Sequence, residues 1–477
     1  MKKIVNVGVS KEENFGIKRL HKVFDDIRSR YQSKPCPTYS DRIKNLKRLK
    51  RALLEQQMYL IESLERDYGF RSRFDTLICD ILPTVNHINY TISHLRCWMK
   101  PSARSVGLLL FPSRTKVYYQ PLGIVGVIVP WNFPIVLSVI PIVTAIASGN
   151  QVMVKLSEHT PNTNSVLNKI FSILNSDISI IEGGSEIASS FSQLPFDHLI
   201  FTGSTHVGRT VAQVAAKNLT PVTLELGGKS PAIVAYDVNL KSAVDAIMLG
   251  KSINAGQICV APDYVFVPEG KEQEFIHLYL KRFNDVFSKK KRKKEMTHII
   301  NTNHYKRLEN YLSDAKAKGG NIHTLKGIEI EGLQMMPHLV TNITNDMILM
   351  KEEIFGPILP ILNYQNIKQV FEYISSRPRP LALYLMSNDK MLQRKVIEET
   401  HSGGVCFNET LLHFAIDDSP FGGVGNSGVG HYHGVEGFKE FSKAKTVLFT
   451  PSWLPRSRIM LRWRCIVQKI LAILFIR

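Results

Sequence analysis

The stretch FTGSTHVGR, Phe201 to Arg209, ends an apolar run and opens a helically patterned segment, so it reads as a strand-to-helix turn eased by Gly203 and Gly208. Its spacing is G-x-x-x-x-G, not the dinucleotide fingerprint G-x-G-x-x-G, and no Lys-Ser/Thr follows as in a P-loop. Taken alone, it suits a bare turn as well as a phosphate cradle. Its surroundings decide the fold. Continuous apolar runs, IVGVIVP (Ile124 to Pro130), QVMVKL (Gln151 to Leu156) and HLIFTG (His198 to Gly203), alternate with helical segments. That is the pattern of a parallel sheet covered on both faces, an α/β fold with a doubly wound sheet.

Upstream, residues Arg42 to Tyr68 carry helical periodicity, with Leu46, Leu49, Leu53 and Leu54 on one side. VGLLLFPSRTKVYY, Val106 to Tyr119, reads as two short strands joined by a Pro-Ser turn. No internal repeat or long linker interrupts the chain. At 477 residues it exceeds one ordinary core and implies two or three domains. With 44% apolar and 21% charged residues, the composition is that of a soluble globular protein.

Six scattered cysteines with no C-x-x-C pair write neither a disulfide framework nor a zinc site, so no metal is expected and a reducing cytoplasm fits best. The first residues, MKKIVNVGVSKEEN, are too short and polar for a signal peptide. Sixty basic against 41 acidic residues give a net charge of +19, compatible with nucleic acid, an anionic membrane or phosphate-bearing ligands. The run KKKRKK (Lys289 to Lys294) and the basic positions of the Arg42 to Arg51 segment read as solvated faces. No nucleic-acid-binding motif accompanies them, and nucleic acid is not an expected partner.

Four further stretches carry chemistry. NAGQICVAPDY (Asn254 to Tyr264) sets Cys259 between a flexible approach and a proline-stiffened exit, which suits a presented thiol as well as a buried one. LELGGKSP puts Glu225 in an apolar run, where desolvation would raise its proton affinity into the range of a general base. PWNFP (Pro130 to Pro134) holds Asn132 in a rigid loop, where a side-chain amide could donate to an oxyanion. VKLSE places Lys155 and Glu158 just after an apolar strand, where a carboxylate could hold ribose hydroxyls.

Together PWNFP, FTGSTHVG, LELGGKSP, GQICVAP, EEIFGP and SPFGGVGNSG, in that order and with Cys259 34 positions after Glu225, resemble the aldehyde dehydrogenase superfamily over most of the chain. RSRFDTLICDILP, LPFDHLIFTGST and NAGQICVAPDYVFVP further resemble its class-3-like bacterial branch, that of the coniferyl aldehyde dehydrogenases. The resemblance implies an NAD(P)-dependent enzyme that oxidises an aldehyde to the acid through a cysteine thiohemiacetal and thioester. By the same resemblance Cys259 is the nucleophile, Asn132 and the Cys259 N–H are the oxyanion hole, and Glu225 is the base. Lys155 and Glu158 would meet the adenosine ribose and Ser204, at the Gly203 turn, the pyrophosphate. Glu353 and Phe355 would meet the nicotinamide ribose and ring, and Phe133 and Phe421 would line the substrate tunnel.

Lys-Leu-Ser-Glu and Gln-Ile-Cys depart from the family's usual Lys-Pro-Ser-Glu and Gln-Thr/Val-Cys, without touching the reacting atoms. A Glu at 158 leans toward NAD over NADP by repelling a 2′-phosphate. The expected division is a cofactor domain of residues 1–103 and 123–225, a catalytic domain of 226–430, and a dimerisation element of 104–122 and 431–450 making a homodimer. The lean is toward a coniferyl or other aromatic aldehyde. Rival readings are a fatty aldehyde dehydrogenase at a membrane surface, a CoA-acylating enzyme, a non-catalytic relative and an esterase. The tail, residues 456–477, has six basic residues and no acidic one. On one helical wheel Trp463, Ile466, Val467, Ile470 and Leu474 oppose Arg458, Arg462 and Lys469, which suits a helix lying on the inner face of a membrane or packing on its own dimer.

Overall fold

A computed structural model describes residues 11–174, 177–287, 295–327 and 330–475, the side chains of 11–15 and 475 excepted. KKKRKK lies outside the described residues.

The apolar runs form a six-stranded sheet in the order 428–429, 222–226, 198–203, 124–128, 151–155 and 178–181. Five strands are parallel, and Gly428–Val429 pairs antiparallel with Val222–Leu226. The chain starts in the middle at Ile124–Ile128, winds outward to Ile178–Ile181, then jumps back to His198–Gly203 on the other side. This reversal makes a crevice at the carboxyl ends of strands 124–128 and 198–203. Helix Val136–Ser148, buried at every residue, covers one face of the sheet and extends its core.

A seven-stranded sheet follows in the order 321–323, 338–341, 358–364, 264–268, 231–234, 382–386 and 404–407, parallel but for the first strand. Only residues 227–230 separate strand Val222–Leu226 from strand Pro231–Val234. The carboxyl end of the first sheet therefore faces the amino end of the second, and loops from both converge there. Gly428–Val429, expected in the catalytic part, belongs to the first sheet, because the glycine-rich loop before it folds back onto the strand bearing Glu225.

Strands Ser102–Arg104, Arg114–Pro121 and Ser442–Phe449 make a third, three-stranded sheet. The expected hairpin at 106–119 is shifted: 102–104 pairs with 115–117, while Gly107–Leu110 is a short helix. The Arg42–Tyr68 stretch is two helices, Tyr39–Glu55 and Gln57–Tyr68. Leu46, Leu49 and Leu53 are fully buried, whereas Leu54, one residue round the helix, is exposed. The tail likewise breaks at Trp463 into helices Arg456–Arg462 and Arg464–Phe475.

Helix Pro161–Ser172, beside the Lys155–Glu158 turn, has no side-chain cap of its own. Asp67 supplies one from a distance, accepting from the N–H groups of Asn162 (2.9 Å) and Thr163 (2.8 Å) and the Thr163 hydroxyl (2.6 Å). Asp67→Ala should therefore lower the unfolding free energy by about 1–2 kcal/mol in urea denaturation. A loss of only a few tenths would mean that water caps this helix equally well.

Candidate active site

Where the two sheets meet, a cleft of 820 Å³ collects Trp131 and Asn132 from the loop after strand 124–128 and Gly203 and Ser204 from the turn after strand 198–203. Glu225 comes from the end of strand 222–226, Cys259 from the loop before strand 264–268, and Glu353 and Phe355 from the loop before strand 358–364. Seven of the sequence-derived site residues thus line one space: Asn132, Gly203, Ser204, Glu225, Cys259, Glu353 and Phe355.

The Cys259 loop is locally strained. After helix Leu240–Ser252 the chain passes through three left-handed residues, Asn254 (φ 49°), Ala255 (φ 52°) and Gly256 (φ 70°). Ala255 has no short polar side chain to ease that conformation, so the surroundings must impose it. Gly256 is required on two counts, since a Cβ there would also stand 2.6 Å from the Gly356 carbonyl. Phe355, just before Gly356, is itself left-handed (φ 50°), so the cysteine and glutamate loops brace each other backbone to backbone. The thiol is only partly exposed. Desolvation, then Glu353 and Glu225, push it up to about 12, against the N–H groups of Cys259 and Val260.

The Asn132 carbonyl accepts from Arg71 (2.7 Å), Tyr68 (3.1 Å) and the Asn254 amide (3.2 Å). Its own side-chain nitrogen donates to the Gln257 carbonyl at 3.2 Å. One amide hydrogen is thereby used to orient the group, and the other remains for the cleft beside Cys259. Arg71 also donates to Asp80 at 2.8 Å, both side chains fully buried, and Asp80 accepts from the Val136 N–H at 3.0 Å. Burial pushes Asp80 up to about 6 even against the pull of Arg71.

Glu225 is 4% exposed, and neither carboxylate oxygen has a hydrogen-bond partner among the described residues. Desolvation raises its pKa well above the ordinary value. The SPFGGVGNSG loop creates this setting. A Cβ on Gly422 would collide with the Gly430 carbonyl and stand 3.2 Å from a Glu225 oxygen, so only glycine lets the loop close over the carboxylate. Glu353, against Gly228, is raised to about 8 by desolvation and Asp263, opposed by the Gly228 N–H, Lys229 and Arg307.

The sheet's topological crevice opens onto the same cleft. Ser204 caps helix Thr205–Ala216, accepting from Val207 at 3.4 Å, and the helix's N-terminal end is lined by Ser204, Thr205, His206 and Arg209. Backbone N–H groups and positive charge there suit a pyrophosphate. Gly208, one turn in, lies against Leu226 and lets helix and strand pack closely. Lys155, at the end of strand 151–155, is buried and pairs with Glu158 at 2.6 Å, leaving Glu158 partly exposed. These two stand outside the residues lining the main cleft, as do Phe133 and Phe421. Phe133 is buried 5.0 Å beneath the Arg71 guanidinium. Phe421 belongs to an aromatic cluster with Phe414 (4.9 Å) and His433 (5.6 Å) on the Gly422 side of Glu225.

Residues 23–447 match the model of the aldehyde dehydrogenase family. The chain belongs to that family. It is 45% identical, over 99% of its length and 100% of the relative's, to a probable coniferyl aldehyde dehydrogenase of Pseudomonas aeruginosa. Among solved structures, the substrate-bound state of Staphylococcus aureus AldH superposes with a TM-score of 0.86 at 37% identity, over 91% of this chain and 95% of that one. The NAD+ complex of an aldehyde dehydrogenase from Bacillus cereus gives 0.84 at 26% identity, over 91% and 89%. The α/β aldehyde dehydrogenase fold and an oxidoreductase activity on aldehydes follow.

Several supports of this aldehyde dehydrogenase site show nothing of their role in the sequence, although Arg71, Trp131, Lys229 and Asp263 stand within its motifs. Arg307 donates to the carbonyls of Ile354 (2.8 Å) and Glu353 (3.2 Å), clamping the EEIFGP loop from within an ordinary helix. Lys229 reaches Asp263 and the Leu349 carbonyl (2.8 Å), and Asp263 accepts from Ile354 N–H at 2.9 Å. Trp131 packs edge-on to Phe355 at 5.4 Å and, with His304, completes the cleft wall. Arg71 is the most consequential. Arg71→Lys keeps the charge beside Asp80 but cannot also reach Asn132. It should lower kcat/KM roughly ten- to a hundredfold through a displaced amide, with the circular dichroism spectrum unchanged. Wild-type turnover would show that Tyr68 and Asn254 suffice.

Proposed function

We propose that the chain oxidises an aromatic aldehyde of the coniferyl type to its carboxylic acid with NAD(P)+, NAD favoured, as a homodimer. The observation that carries this reading is the convergence of a thiol, an unpartnered buried carboxylate and an oriented amide on one cleft.

Cys259 is the nucleophile. With its thiol held protonated near neutrality, Glu225, whose proton affinity is also raised, is the group positioned to take the proton as sulfur bonds to the aldehyde carbon. The free hydrogen of the Asn132 amide and the Cys259 N–H then stabilise the alkoxide of the thiohemiacetal. When bound, NAD(P)+ supplies the hydride acceptor. Ser204 and the helix behind it would hold its pyrophosphate, Lys155 and Glu158 its adenosine ribose, and Glu353 and Phe355 its nicotinamide end. Glu158, already paired with Lys155, disfavours a 2′-phosphate. Glu225 gives up the thiol's proton to solvent and, as the carboxylate again, takes a proton from the water that attacks the thioester carbon; the C–S bond breaks, and that proton passes to the departing sulfur, releasing the acid and restoring the thiol.

The aromatic lean rests on the kinship above. The homodimer reading rests on the eight-residue strand Ser442–Phe449, which closes one side of the three-stranded sheet and offers an open edge to a second copy.

The half-reactions separate the roles. Cys259→Ala should yield no NADH even in the first turnover. Glu225→Gln should collapse steady-state turnover and accumulate an acyl adduct, seen by intact-protein mass spectrometry after mixing with NAD+ and aldehyde. Near-normal turnover in Glu225→Gln would remove it as the base. A weakened NADH burst in that variant would mean that it deprotonates Cys259 too.

A panel comparing cinnamaldehydes with long-chain aliphatic aldehydes should show higher kcat/KM for the aromatic series. A clear preference for the aliphatic series would establish the fatty-aldehyde reading instead.

A further inference from the structure

The net charge of +19 is not spread over the molecule. Residues 100–121 and 441–477, which form the three-stranded sheet and the tail, hold twelve Lys and Arg and no Asp or Glu. This one lobe therefore carries most of the excess charge. Arg456 ties its two segments together, donating to Ser113 Oγ (3.2 Å) and to the carbonyls of Leu110 (2.9 Å) and Phe111 (3.2 Å).

The same lobe exposes large apolar side chains. Leu108 is 85% exposed, Phe111 73% and Leu461 75%, with Leu109, Trp453 and Met460 also in solvent. In helix Arg464–Phe475 the exposed residues Ile466, Ile470, Ile473 and Leu474 fall at i, i+4, i+7 and i+8, continuing from Trp463. They make one apolar stripe, flanked by Lys469 on one side, while Val467 and Leu471 are half-buried on the other. Among the described residues no helix is long and apolar enough to cross a membrane, so this surface can lie on a bilayer but not span it.

We infer that the lobe is a peripheral membrane-binding surface for anionic phospholipid, in which the Gly107–Phe111 segment and the helix Arg464–Phe475 insert their apolar side chains while the surrounding Lys and Arg meet the headgroups. Charge and apolarity in one place argue for lipid. A nucleic acid would use the cations but has no place for exposed Leu, Ile and Phe side chains, and the second copy proposed above meets the edge of strand Ser442–Phe449, whereas the lipid surface is the Gly107–Phe111 segment and the helix Arg464–Phe475. The inference is independent of the chemistry in the cleft.

The test is co-sedimentation of the full-length protein with vesicles of phosphatidylcholine alone or mixed with phosphatidylglycerol. The protein should pellet with the anionic vesicles, at least tenfold more weakly at high salt, and stay in solution with phosphatidylcholine alone. Leu108→Ser/Phe111→Ser and Ile466→Ser/Ile470→Ser should each weaken pelleting at least tenfold while leaving turnover of a water-soluble aldehyde and the sedimentation coefficient unchanged. No pelleting of the wild type, or equal pelleting of both variants, would overturn the inference. So would a fall in sedimentation coefficient in either variant, which would assign the stripe to a second copy, or tighter binding to duplex DNA than to the vesicles.

Discussion

A single backbone carbonyl, that of Asn132, organises the catalytic end of this aldehyde dehydrogenase. Three donors from two distant parts of the chain meet it: Arg71 and Tyr68 from the N-terminal helical layer, and Asn254 from the approach to the cysteine. Arg71 is fully buried and is tolerated there because Asp80 neutralises its charge and, with this carbonyl, accepts from its two terminal nitrogens. Asp80 in turn accepts from the N–H at the start of helix Val136–Ser148, so the guanidinium fixes the loop 130–134 from both ends. Asp75 extends the network, accepting from the Asn254 N–H (2.9 Å) and Thr297 (2.6 Å). The Asn132 loop and the loop that carries Cys259 are thus referred to one buried polar frame.

That frame allows the site to hold unfavourable elements. Ala255 and Phe355 are left-handed without being glycine, and Glu225 is buried with no hydrogen-bond partner among the described residues. Each costs stability that surrounding packing must offset. The same desolvation that costs stability raises the proton affinity of Glu225 and of the Cys259 thiol.

The two sheets need each other for this chemistry. The first provides the Asn132 amide, a helix N-terminus and the Glu225 carboxylate at its carboxyl end, and the second provides the Cys259 thiol and Glu353 at its amino end. The glycine-rich loop before Gly428 joins them by closing over Glu225. The lobe of residues 100–121 and 441–477 stands apart in character, since its exposed side chains and one-signed charge serve no core.

The sequence by itself determined the parallel sheet and most of the cleft. Continuous apolar runs leave a strand buried on both faces few alternatives, and short motifs such as NAGQIC and PWNFP contain the backbone conformers their loops need. Cys259, Glu225 and Asn132 each had an ordinary local reading as well, and it was the order of the motifs along the chain that pointed to the cleft they share. The hairpin at 106–119 and the single tail helix were misjudged, since strand ends and kinks depend on contacts that no local pattern encodes. Only the tertiary structure brought Arg71 to Asn132 across 61 residues and Arg307 to Glu353 across 46. Arg71 lies in the loop between two helices and Arg307 within a helix, and neither local context marks its guanidinium as one that holds a distant carbonyl. What makes each one structural is the low-dielectric space it shares with carbonyls from elsewhere in the chain, and that space exists only once the layers have packed.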